Sequence, residues 1–149
     1  MKKQLCHAVF SLALGACTLQ ATAAGCDFTV PEGWNAAGVR WEGECRDGRA
    51  DGPGVLKAYE SGKVVRFFFG TLKAGEPAIG VIDSEEGYRA GRFTQGRLVS
   101  NEDRNTLIRA FDSASKAAQA VAGRFGKTGN KASASFYEGK ARALREQMD

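Results

Sequence analysis

The sequence predicts an α+β fold, an antiparallel β-meander over residues 25–100 followed by a C-terminal α-helical hairpin over residues 101–149. Three observations predict it. Glycine is concentrated in the first part, where 14 of the 19 glycines lie between Gly25 and Ser100. Within that part Val65, Phe67 and Phe69 alternate with Val64, Arg66 and Phe68, the period of two that a strand requires. From Asn101 onward alanine becomes frequent and apolar residues recur at helical spacing.

The first 24 residues read as a leader rather than as part of the fold. Lys2 and Lys3 precede an apolar run from Ala8 to Leu19, and Ala21-Thr22-Ala23 follows as a small-residue cleavage site. The run is too short to span a bilayer. This predicts a signal peptide at residues 1–24 and a periplasmic or secreted protein. An alternative uses Leu14-Gly15-Ala16-Cys17, which resembles a bacterial lipobox and would make Cys17 a lipid-modified N-terminus anchored in the bacterial envelope.

Export changes the meaning of the cysteines. Cys6 leaves with the leader, as does Cys17 unless lipidated, so Cys26 and Cys45 remain and should form one disulfide in an oxidising compartment. Such a staple would tie the N-terminal arm to the first strand, and in the chain-entropy model it contributes about 3 kcal/mol. The other reading of Cys45 is a residue of the apolar core.

Three segments of the first part share a frame of two glycines five residues apart: Gly43 to Gly48, Gly70 to Gly75 and Gly91 to Gly96. Each has an aromatic just before it, namely Trp41, Phe68 and Tyr88. Gly52-Pro53-Gly54 reads as a tight turn before the run Val55-Leu56, while Glu60-Ser61-Gly62-Lys63 and Asp83 to Gly87 read as hairpin turns. Both sets of alternating residues in 64–69 are mostly apolar, so that strand should be covered on both faces.

Beyond Ser100, Leu107, Phe111, Ala114, Ala118, Val121 and Phe125 form one stripe of a helix that Ser100 or Asn101 caps and Gly126 or Gly129 ends. Tyr137, Ala141, Leu144 and Met148 form a second stripe, with Ser135 and Glu138 spaced as a capping box. Joined by a short loop, the two helices should fold back on each other. They either cover the sheet or pair with a second copy as a homodimer element.

The glycine-framed segments with their preceding aromatics resemble a MORN-repeat protein, whose unit of about 23 residues is a β-hairpin. The resemblance covers Trp41 to Val99, with copies 27 and 21 residues apart. It implies stacked hairpins that bind rather than catalyse, with another protein as partner. Small exported proteins of this type imply one concrete role, an immunity or accessory protein for a secreted effector or toxin. Trp41, Phe68 and Tyr88 are then the candidate partner-binding residues, since rigid aromatics make good anchors when exposed; the competing reading is that they are core.

Composition narrows the function classes. The single histidine, His7, lies in the leader, which withdraws the commonest acid–base group and metal ligand from the exported chain. No catalytic residue, metal site or cofactor is predicted. Glu42, Glu44, Asp47 and Asp51, with Asp83, Glu85 and Glu86, read as turn and surface acids, the remaining catalytic alternative being a carboxylate-dependent glycan hydrolase. The formal net charge of +4 includes Lys2 and Lys3, and the balance left without them is too even for a nucleic-acid partner. A membrane-surface module is the second binding reading. MORN-type resemblance and Cys17 suggest it, but residues 25–100 carry 10 basic and 11 acidic side chains, no attractive field for an anionic surface.

Overall fold

A computed structural model describes residues 25–149. The leader expected at residues 1–24, with His7 and the lipidation candidate Cys17, lies outside the described residues.

Six antiparallel strands form one sheet in sequence order: β1 (Val39–Arg46), β2 (Arg49–Glu60), β3 (Lys63–Lys73), β4 (Glu76–Ser84), β5 (Gly87–Thr94) and β6 (Arg97–Leu98). Two helices follow, α1 (Arg104–Lys127) and α2 (Lys131–Arg145). This is the expected α+β meander with a helical hairpin.

Each strand connects to the next through two residues. At Asp47-Gly48, Ser61-Gly62, Ala74-Gly75 and Gln95-Gly96 both turn residues have positive φ, between 48° and 86°. That is the backbone of a type I′ hairpin turn, whose twist matches the strands it joins, and glycine at the second position enters it without a Cβ penalty. The three glycine-framed segments therefore share one placement: the first glycine lies in an odd-numbered strand and the second closes the turn that follows. Gly52-Pro53-Gly54 is not a turn. It lies within β2, where Gly52 pairs with Leu72 and Gly54 with Gly70.

Antiparallel register sends alternate side chains to opposite faces. Val55, Phe69 and Val81 point to one face and join Ala114, Ala118, Val121, Tyr137, Ala141 and Leu144 of the helices in a first core. Leu56, Phe68, Leu72, Ile82 and Phe93 point to the other and form a second core. Phe68 and Phe69, neighbours in sequence, are each fully buried on opposite faces, as the two-sided apolar pattern predicts.

The second face is covered largely from within the sheet. Gly54, Gly70, Gly80 and Gly91 are aligned across β2, β3, β4 and β5 and make a bare row. The Phe68 ring lies along it: a Cβ built on Gly70 would stand 2.7 Å from Phe68 Cζ, and one on Gly80 2.9 Å. The Trp41 indole lies over Gly43 and Gly54 in the same way, and its Nε1 donates to the Glu44 carbonyl at 3.0 Å. Phe93 meets Phe68 edge to face at 5.2 Å.

An N-terminal arm completes that cover. Asp27 N–H donates to the Gly48 carbonyl (2.8 Å), Thr29 N–H to Gly75 (2.7 Å) and Glu32 N–H to Gly96 (2.8 Å), so the arm crosses the three glycine-framed turns in order. Cys26, Phe28, Val30 and Trp34 pack on the second core. Cys26 and Cys45 lie at disulfide distance, with Cα atoms 5.7 Å apart, and hold the arm to β1.

The sheet edges are guarded. β6 is two residues long, and β1 carries alternating charged residues beside an irregular stretch of pairing where β2 has the extra residues opposite Glu42 to Glu44, devices that discourage edge pairing.

The helix caps differ from expectation. Asp103, not Ser100 or Asn101, caps α1; its carboxylate accepts from Thr106 N–H at 3.0 Å and from the Thr106 hydroxyl at 2.8 Å. Asn130 caps α2 by accepting from Ser133 N–H at 3.0 Å, and Ser135 and Glu138 sit inside the helix. Asn, Asp and Ser are comparable N-caps, so backbone position decides between them: Asp103 and Asn130 stand three residues before the N–H groups their side chains accept from, whereas Asn101 has a positive φ of 58°. Gly129, with φ of +79°, follows α1 as the loop reverses. The helices lie on the first face of the sheet, where Ser113 Oγ hydrogen-bonds Thr71 Oγ1 at 3.0 Å, and against each other, where Ser115 Oγ donates to the Ala141 carbonyl at 2.9 Å.

Candidate functional site

The three aromatics singled out in the sequence do not share a surface. Phe68 is fully buried on the glycine row and cannot meet a partner in this fold. Trp41 is half-buried on that same face, whereas Tyr88 sits on the helix-covered face, edge to face with Phe111 at 5.9 Å. The expectation of a joint binding surface is corrected by register: Trp41 and Phe68 fall on one side of the sheet and Tyr88 on the other.

The carboxylates of the sequence reading are dispersed in a similar way. Glu42 binds Lys57 at 2.7 Å, Asp83 binds Lys140 at 2.6 Å, and Asp51 faces Arg46 at 3.5 Å while accepting from Ala74 N–H at 3.1 Å. Among the described residues no group of three or more His, Cys, Asp or Glu side chains is placed to hold a metal ion. No helix among them is long and apolar enough to cross a membrane.

A different set of aromatics is brought together where α2 leaves the sheet uncovered. Beyond the Val55–Phe69–Val81 row, the first face continues towards the β2–β3 turn as Lys57, Tyr59, Val64 and Phe67. Helix α2 adds Ser133, Phe136, Tyr137 and Lys140, and Phe125 closes one end, enclosing an open groove of about 600 Å³.

Ring against ring fixes the groove wall. Phe67 stacks on Phe69 at 5.3 Å and meets Phe136 at 5.8 Å; Phe136 meets Tyr137 at 5.1 Å, and Tyr137 lies parallel to Phe125 at 5.7 Å. Phe136 is 46% exposed, a large apolar side chain held in solvent at the rim. Its neighbour Tyr137 is buried, so adjacent positions of one helix serve the core and the groove.

Two lysines are fixed within this aromatic setting. Lys140 Nζ lies 5.6 Å from the Phe67 ring centre and 5.7 Å from that of Phe136 while bonded to Asp83. Lys57 Nζ lies 5.9 Å from the Tyr59 ring centre and is bonded to Glu42. Burial would lower the pKa of Lys57, but the Glu42 hydrogen bond and charge, with the nearby Tyr137 and Tyr59 phenols, outweigh it and raise the value. Burial raises the pKa of Tyr137 against the opposing influence of Lys57. The phenol of Tyr88 is raised too, by burial and then by the charge of Asp83. Each lysine is matched by a carboxylate, leaving a groove that is aromatic in shape and balanced in charge.

Sequence reasoning passed over Phe136 because it sought the stripe of α2. The usable signal was the reverse: an aromatic one residue off the Tyr137–Ala141–Leu144 stripe lies about 100° round the helix, at the edge of the core the stripe defines. No protein-family model, curated protein or solved structure matches the chain.

Proposed function

We propose that this chain is an exported, non-enzymatic binding module that takes a segment of another protein into the groove between α2 and the β2–β3 hairpin. The observation that carries the reading is Phe136, exposed at the rim of a groove whose other walls are aromatic. An ordered aromatic in solvent loses little conformational entropy on binding and gains its whole buried area, which is how anchor residues act in protein interfaces. The neutralised lysines add polar specificity without a net field, and this fits a protein segment better than a polyanion.

The exported setting rests on the leader at residues 1–24 and is supported by the Cys26–Cys45 pair, which suits an oxidising compartment. The MORN-like pattern supports a binding role, and an immunity or accessory protein for a secreted toxin is the concrete form of it. The test uses the oxidised chain as bait against envelope and secreted proteins, with Phe136→Ala and Phe67→Ala beside Trp41→Ala. A specific partner that binds at least about tenfold more weakly to both groove variants, yet normally to Trp41→Ala, is the expected result. A partner indifferent to Phe136 and Phe67 would place recognition elsewhere.

A further inference from the structure

The arm that crosses the three glycine turns is attached in an unusual way for a structural element. Its residues Asp27, Thr29 and Glu32 each donate one backbone hydrogen bond to a turn carbonyl, at Gly48, Gly75 and Gly96, and the only bond returned near its start is Ala50 N–H to the Asp27 carbonyl at 3.0 Å. It makes a single isolated bridge, Asp27 with Arg49, rather than a ladder. Its Glu32 forms an exposed ion pair with Arg97 at 3.2 Å, and of its apolar side chains Pro31 is fully buried while Phe28, Val30 and Trp34 are only half-buried. Beneath them lie Leu72 and Phe93, which are buried, so the arm is a cover for an apolar strip of the sheet.

The covalent hold on this cover is placed where a reductant can reach it. Cys45 is exposed on the edge strand β1, and Cys26 is half-buried at the start of the arm. The loop it closes includes the arm and β1 but none of β2 to β6 and neither helix. Breaking the bond therefore frees the arm without cutting any hairpin of the meander.

We propose that residues 26–34 form a redox-latched strap, whose release under reducing conditions bares the apolar strip of the sheet at Leu72 and Phe93 while the sheet and helices stay folded. The chemistry is thiol–disulfide exchange with a dithiol. A thiolate of the dithiol attacks the Cys45 sulfur, the Cys26–Cys45 bond breaks, and Cys26 leaves as a thiolate that takes up a proton. The second thiol of the reductant then displaces Cys45 from the mixed disulfide, so the dithiol ends as its own disulfide and the chain gains two thiols. Without the latch, four spaced backbone hydrogen bonds, the exposed Glu32–Arg97 pair, Pro31 and three half-buried side chains compete with the entropy of the freed segment, and the strap becomes the least protected part of the domain.

Amide hydrogen exchange on the folded chain tests this before and after treatment with dithiothreitol. Exchange at Asp27, Thr29 and Glu32 is expected to accelerate on the order of a hundredfold, the factor a loop of this length implies, while interior amides of β3 and α1 change by less than about threefold. The Cys26→Ser/Cys45→Ser double variant is expected to match the reduced protein, and if it fails to fold the reduced wild-type chain still gives the answer. Unchanged protection at the three arm amides would overturn the proposal by showing that the strap holds without its latch. Simultaneous loss of protection in the strap, β3 and α1 would overturn it by showing that the disulfide staples the whole domain.

Discussion

The two faces of the sheet solve the same problem by different means. On the first, Val55, Phe69 and Val81 are covered by separate elements, and the small side chains of α1 at Ala110, Ala114, Ala117 and Ala118 let the helix approach closely. On the second, the sheet covers itself: a row of four glycines leaves a trough, and Phe68 and Trp41 lie down in it instead of standing outward. One face depends on added bulk and the other on its absence. A sheet can thus be closed on both sides with a helical layer on only one, provided that large and missing side chains are aligned across strands.

The largest expected effects come from the adjacent phenylalanines that serve the two faces. Phe68→Ala and Phe69→Ala should each cost about 3–5 kcal/mol in urea denaturation. Their consequences should differ, since Phe69→Ala should loosen the helices, read as exchange in α1, whereas Phe68→Ala should loosen Trp41 and the strap. Equal loosening of both layers by either variant would mean that the faces are not separate.

Gly70→Ala comes next. Its Cβ would lie against the Ile79 carbonyl oxygen, 2.7 Å from Phe68 Cζ and 2.8 Å from Gly80 Cα, so backbone must shift, and a loss of about 3 kcal/mol or a failure to accumulate folded protein is expected. The control is Gly123→Ala in α1, whose Cβ meets nothing within 4 Å and which should be neutral or stabilising by thermal melting.

On the helical side, Asn130→Ala removes the acceptor for Ser133 N–H and should destabilise by about 1 kcal/mol, with fraying confined to the start of α2 and hence to the groove wall.

The smallest effect separates the layers by pH. Tyr88 and Tyr137, both on the helix-covered face, have pKa values raised by burial. A phenol kept neutral by the fold contributes stability that is complete below its unfolded pKa near 10 and is lost as pH rises towards the higher folded value. Alkaline titration should therefore weaken the helix layer before the glycine-row face, followed by helix signal and tyrosinate absorbance together. In acid, Glu102 and Asp103 at the start of α1 act in the opposite direction. Glu102 is held low first by its Arg92 hydrogen bond and Asp103 first by Thr106, so their contribution is present above the ordinary carboxylate range and is lost as pH falls below it.

Much of this architecture is legible in local pattern. The alternation of Val64 to Phe69 marks a strand covered on both sides, Ser61-Gly62 marks a turn, and the Leu107-to-Phe125 and Tyr137-to-Leu144 stripes mark two helices, because periodicity and turn chemistry are properties of neighbouring residues. The aromatic groove was not legible. Trp41 and Phe68 stand two residues before their glycines and Tyr88 three, an offset that sends Tyr88 to the opposite face, and Phe136 draws its neighbours from β2, β3 and α1.

By itself, then, the sequence determined the order and type of the elements, the pairing partners Cys26 and Cys45, and the two turns at Ser61-Gly62 and Glu85-Glu86. Only the tertiary structure decided that Gly54, Gly70, Gly80 and Gly91 align into one trough, that the arm runs across Gly48, Gly75 and Gly96, and that Phe136 stands at a groove. The division has a physical cause. Propensity acts over a few residues, whereas a trough, a strap and a groove depend on the registers of several strand pairs at once, and a shift of one residue in any of them would send every side chain of that strand to the opposite face.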